Sequence, residues 1–191
     1  MTGITFEAST ETYGKRLQLL KQIVPALRCV AVIGGVGDVN VEFAMSSFNR
    51  ITPGLGITLV PIAIRSADDL GGAFARIKVS QAEAIIVIAG ALTYTVGTQI
   101  ADLALASHLP SCFAFKEMVV AGGLMSLGPD LAALAEPAAA QIDKIIKGVS
   151  PADIPVEQPT HYELYINVKT ADLLNLTIPQ WILGRADGVI E

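Results

Sequence analysis

From residue 13 to residue 128 the chain alternates between apolar positions at helical spacing and short runs that are apolar throughout. Leu17, Leu20, Val24 and Leu27 recur on one helix face, and Pro25 stops that helix before an apolar strand from Cys29 to Ile33. A glycine-rich turn, GGVGDVN (residues 34–40), follows. Asp38 or Asn40 caps the next helix, which carries Val41, Ala44, Met45 and Phe48 on one face. The segment ITPGLG (51–56) breaks the chain before a strand over 58–64. Ser66 with Asp69 approximates a capping box for a helix reaching Ile77. The run AIIVIAG from Ala84 is continuously apolar and rich in β-branched residues, as strands covered on both faces are. Thr93 or Thr95 starts a helix ending near Ser107. A strand around 111–114, a helix from Lys116 and a strand over 124–127 complete the alternation. This order predicts an α/β fold: a parallel sheet of about five strands flanked by helices, with right-handed crossovers.

Beyond Gly128 the pattern changes. Asp130 is placed to cap a long helix with Leu131, Leu134, Ala138, Ile142, Ile145 and Ile146 inward, interrupted by Pro137 and stopped by Gly148. The proline-rich VSPADIPVEQPT (149–160) reads as an extended crossing segment. Tyr162, Leu164 and Ile166 then alternate with Glu163, Tyr165 and Asn167 as a one-face strand. Residues 1–128 therefore read as one lobe and 129–191 as a tail.

Hydrophobic residues make up 52% of the chain and charged ones 16%, an apolar balance that favours surface hidden in an oligomer. No stretch reaches the roughly 18 apolar residues of a membrane span, and residues 1–20 hold no basic, apolar leader. A net charge of −5 without a basic run argues against nucleic acid as a partner. Cys29 and Cys112 flank apolar runs and read as buried free thiols.

Catalytic and cofactor signatures are missing from the sequence. GGVGDVN lacks the G-x-G-x-x-G spacing and the P-loop lysine, so it reads as a strand-to-helix turn whose free amides suit a carboxylate better than a nucleotide. No Cys/His/Asp cluster has metal spacing, and no G-x-S-x-G occurs. His108 and His161 read as solvent-facing. Glu117 and Asp130 read as helix-start charges, although a converging acid/base pair stays open. We therefore expect no enzyme, no metal and no cofactor. Ligands of open α/β sheets gather at the carboxyl ends of strands, which selects three loops: 34–40 with Gly37, Asp38 and Asn40; 89–93 with Ala89, Leu92 and Thr93; and 114–117 with Phe115, Lys116 and Glu117. Phe115 can stack on a flat solute and Lys116 can pair with a carboxylate. Equally, Phe115 can be core and the two charges solvated, and Leu92, Thr93 and Tyr94 divide in the same way.

Three blocks carry a resemblance: YGKRLQLLKQIVPALRCVAVI (13–33), KEMVVAGGLMSLGPDLAAL (116–134) and PVEQPTHYELYINVKTADLLNLTIP (155–179), with a chain end in RADGVIE. Together they resemble the solute-binding proteins of tryptophan-type ABC importers, almost end to end. The resemblance implies one lobe of a type I periplasmic-binding-protein-like fold, the second of two, with a tail returning to a first lobe expected upstream. It implies a small solute, an amino acid among the candidates, together with importer membrane subunits as partners and a periplasmic or other extracytoplasmic location. It also places Phe115, Lys116 and Glu117 at a helix start facing the ligand cleft. The chain departs from the family at residues 34–38, where an asparagine-proline-rich turn is usual, and at Leu127, where an aromatic is usual. Two functions follow as expectations. One is a solute-binding importer component; the other is an interaction or scaffold module, dimerising through the surface a first lobe would cover. A homodimer is expected from the apolar tail.

Overall fold

The computed structural model describes residues 2–6, 10–159 and 161–191. Seven strands form one sheet: β1 (Cys29–Gly35), β2 (Thr58–Ile64), β3 (Ala84–Val87), β4 (Ser111–Phe113), β5 (Met125–Gly128), β6 (Glu163–Asn167) and β7 (Gly188–Ile190). Their spatial order is β2-β1-β3-β4-β5-β6-β7. The first five are parallel, β6 lies antiparallel to β5, and β7 is parallel to β6. The chain leaves β1 outward to β2 and then turns back to β3, so a topological switch point lies between β1 and β3.

The unbroken apolar strands make sense as the middle of a three-layer stack. In β1, Val30 and Val32 face a core shared with α1 (Thr10–Ile23) and α2 (Val39–Leu55). Ala31 and Ile33 face the opposite core, shared with α3 (Leu70–Val79) and α5 (Gly97–Ala106). A period of two sends alternate side chains to opposite faces, so a strand covered on both sides must be apolar at every position. The short α4 (Ala91–Thr95) and α6 (Lys116–Val120) follow β3 and β4. Cys29 and Cys112 are free thiols. Burial pushes the Cys112 thiol up to about 12 and raises that of Cys29, where Glu83 adds to the effect. Neither is an activated nucleophile.

Three differences from the sequence reading have physical causes. Helix α2 runs through Pro53 to Leu55 and closes on Gly56, whose φ is 64°. Pro53 forgoes one backbone bond in the last turn, a smaller loss than breaking the packed helix there. Helix α7 (Ala135–Ile146) starts later than Asp130, which instead accepts from the Ala132 amide at 3.0 Å. Pro137 then falls in the first helical turn, where no intrahelical N–H bond is required. The tail also divides. Its strand β6 joins the lobe's own sheet, burying Leu164 and Ile166, and α8 (Val168–Leu173) and α9 (Gln180–Leu183) contribute Ala171 and Ile182 to the α1 core. Of the tail, residues 132–159 add no strand to that sheet. There Ile4 bridges Glu157, and the buried Gln141 of α7 bonds Thr2 Oγ1 and the Gly3 and Pro155 carbonyls. Among the described residues no helix is long and apolar enough to cross a membrane.

Candidate functional site

The three selected loops meet at the carboxyl edge of the sheet, around the switch point. Asp38 caps α2, its Oδ1 accepting from the Asn40 amide at 2.9 Å, and Gly37 takes φ 76°, which favours glycine. The other carboxylate oxygen, Oδ2, lies against Gly90. A Cβ added at Gly90 would come within 2.1 Å of it, so the turns after β1 and β3 touch where only a hydrogen fits. Leu92 completes this contact beside Gly35. Thr93 is buried and donates from Oγ1 to the carbonyls of Ile88, at 2.6 Å, and Gly90, at 3.1 Å. It fixes the β3 turn and offers no free group to a ligand.

The β4 turn is tied in by aromatic contact. Phe115 is buried with Ala89 and Ala114 and meets Tyr94 edge-to-face at 5.4 Å and Phe6 at 6.1 Å. Tyr94 is 40% exposed. Lys116 is held between two carboxylates, Asp130 and Glu163, each at 3.0 Å, with Tyr165 beneath its ammonium at 5.5 Å. Hydrogen bonds to Glu163 and then Asp130 raise its pKa well beyond the ordinary lysine range. The Lys116 contact and the Ala132 amide hold Asp130 below the usual carboxylate range. Glu117, next in the helix, keeps Oε2 buried with no hydrogen-bond partner.

The structure thus brings Asp38, Ala89, Leu92, Thr93 and Phe115 together at one edge. Lys116 lies on the β5–β6 side of it, and Asn40 contributes its backbone amide. The outer surface is apolar: Val36 and Val39 are more than half exposed, and Phe43, one turn further along α2, is 55% exposed. Val36 and Val39 fall within the selected loop 34–40, whereas sequence reasoning passed over Phe43 because it followed the inward face of α2. Its spacing off that face, with Val39 and Phe43 four apart, was the available signal. Beneath the rim the void among Ala89, Thr93, Tyr94 and Phe115 is only about 10 Å³. That is room for a water at most, so a solute rests on the rim rather than inside it.

Helices on both faces of a parallel sheet with an added antiparallel strand, and loops converging at a switch point, define one lobe of a type I periplasmic-binding-protein-like domain. The chain belongs to the ABC transporter substrate binding protein family, whose model matches residues 1–190. Similar solved structures include a conserved domain protein from Vibrio cholerae O1 biovar El Tor, with TM-score 0.88 and 23% identity, covering 98% of this chain and 62% of that one. A second is an ABC domain from Streptococcus pneumonia in complex with L-Trp, with TM-score 0.85, 23% identity and coverage of 99% and 64%. A third, from Clostridium difficile, is a substrate binding protein with adhesive properties in its ligand-free, open form, with TM-score 0.68, 19% identity and coverage of 99% and 62%. The chain therefore spans less than two thirds of the length of these structures. No curated protein matches it. The family is one of substrate-binding proteins, not a class of enzymes.

Proposed function

We propose that this chain is the solute-gripping lobe of an extracytoplasmic ABC importer component, that its solute is an amino acid, and that importer membrane subunits receive the solute. The observation that carries this reading is the rim itself: three strand-end turns locked together at the switch point, apolar on the outside and acidic within reach. Lys116 already has two carboxylate partners, so Asp38 supplies the charge a ligand meets. Carboxylates without a cation favour an ammonium group, and Val36, Val39 and Tyr94 favour an apolar or aromatic side chain beside it. The L-Trp held by the pneumococcal structure fits this class. Because the rim has no enclosed volume, this lobe alone holds the solute weakly, and a second surface, a role we assign to a first lobe, tightens the grip by covering it. In this reading Phe115 and Lys116 position the rim without touching the solute.

The test is calorimetric titration of the protein with the twenty amino acids, followed by Gly90→Ala and Tyr94→Ala. Gly90 has φ −173°, open to any residue, and its new Cβ would press on the Asp38 carboxylate, 2.1 Å from Oδ2, and touch Thr93 Oγ1 at 3.5 Å. Gly90→Ala should therefore displace the Asp38 carboxylate, cost no more than the α2 cap, about 1 kcal/mol of stability, and weaken binding by about tenfold, the equivalent of one charge-assisted contact. Absence of any amino-acid binding, or rim variants that bind like the unsubstituted protein, would overturn the reading. The interaction-module alternative has one observation in its favour, the outward apolar face of α7, where Ile142, Ile145 and Ile146 are exposed.

A further inference from the structure

We propose that the cavity between α1 and α9 is a second ligand site, built for a small planar carboxylate. It measures about 420 Å³ and lies on the α1 side of the sheet, apart from the rim. That volume falls within the roughly 300–1,000 Å³ of small-molecule sites. Its floor is apolar, from Leu19, Leu127 and Leu164, and its aromatic wall is Trp181 with Tyr162. Trp181 is 45% exposed, a large ring with nearly half its surface in water.

Two cations line the cavity, Lys15 from α1 and Arg185 from beyond α9. Neither is ion-paired with any described residue, in a chain where 18 acidic residues outnumber 13 Lys and Arg. The acid in the lining, Asp187, is committed elsewhere: Oδ2 accepts from the Leu164 amide at 2.7 Å and Oδ1 faces His161 Nε2 at 3.9 Å. Cationic groups lining one cavity with an indole and a phenol suit a ligand with a flat apolar body and one carboxylate, which Arg185 can take in bidentate fashion. The site uses none of the rim residues, so its failure and the failure of the rim reading are separate results.

Trp181 is the only tryptophan of the chain, so its indole N–H gives a single, assignable proton–nitrogen resonance. The probe is 2-naphthoate, with 2-naphthalenemethanol as its uncharged counterpart. We expect saturable movement of the indole resonance by naphthoate at sub-millimolar concentration, and at least tenfold weaker binding of the alcohol. The paired variant Lys15→Gln/Arg185→Gln, at exposed positions, should lose the same factor with an unchanged melting temperature. Equal binding of acid and alcohol would reduce the cavity to an apolar groove and overturn the proposal. No shift at about 10 mM probe would do so as well. Both comparisons are made on the unsubstituted chain and stand even if the variant folds poorly.

Discussion

Lys116 shows how a single side chain can be read two ways from sequence and only one way in the folded chain. Its ammonium joins Asp130, just past β5, to Glu163, the first residue of β6, and so ties the tail to the lobe at two points. All three side chains are at most 27% exposed, so solvent screens them less than a surface pair. The pH dependence follows from the two shifts. The depressed pKa of Asp130 gives stability that is present above its unfolded value, about 3.9, and lost as pH falls through the folded value. The raised pKa of Lys116 gives stability that is complete below about 10.4 and lost only in strong alkali. The clamp is thus at full strength through the neutral range and weakens first in acid. Lys116→Met should lower stability by about 1–2 kcal/mol at pH 7, and its difference from the unsubstituted protein should shrink below about pH 4. Urea unfolding at three pH values checks this. A difference that stays constant down to pH 3 would assign the loss to the packing of the methylene chain rather than to charge.

At the scale of elements, the sequence was legible wherever one local rule sufficed. Strands β1 and β3 announced themselves as apolar runs, α2 through its Asp38 cap and its inward face, and the meeting of the three loops through their places after parallel strands. What stayed hidden needed partners distant in the chain. Strand β7 has three residues and α9 four, too few for either period to register. That β6 would pair with β5 rather than leave the lobe is decided by contacts far apart in sequence, of which Asn167 makes the most direct. Buried at the end of β6, it accepts from the Thr170 amide at 2.9 Å to cap α8 and donates from Nδ2 to the Val119 carbonyl at 3.0 Å. One side chain thereby starts a helix and fixes the tail to α6. Asn167→Leu leaves both backbone groups unpaired in the interior, for an expected loss of about 2–4 kcal/mol. Asn167→Asp keeps the cap acceptor and loses the donor, and its urea midpoint should fall between the two. Equal midpoints for both variants would mean that the cap contributes nothing.

At the scale of the whole molecule, α7 is built the wrong way round for a helix that ends in water. Its one buried residue is a polar glutamine, Gln141, held by Thr2, Gly3 and Pro155, while Ile142 is 56% and Ile146 79% exposed. Amphipathic helices put the apolar stripe inward, so an anchoring amide and outward isoleucines mean that the helix is oriented for a surface beyond this chain. Covering each isoleucine is worth about 1.5–3 kcal/mol, and exposed apolar patches of this kind mark interfaces. We propose a second copy as that surface, because a two-fold axis through α7 would set the same isoleucines against each other with no other component required. Sedimentation velocity across a hundredfold range of concentration should then show a monomer–dimer equilibrium. Ile142→Asp/Ile146→Asp should abolish the dimer while leaving the melting temperature of the monomer unchanged, since neither side chain touches its own core. A species that stays monomeric at every concentration would exclude a second copy as the partner of α7. A dimer that survives the double substitution would place the contact on another face.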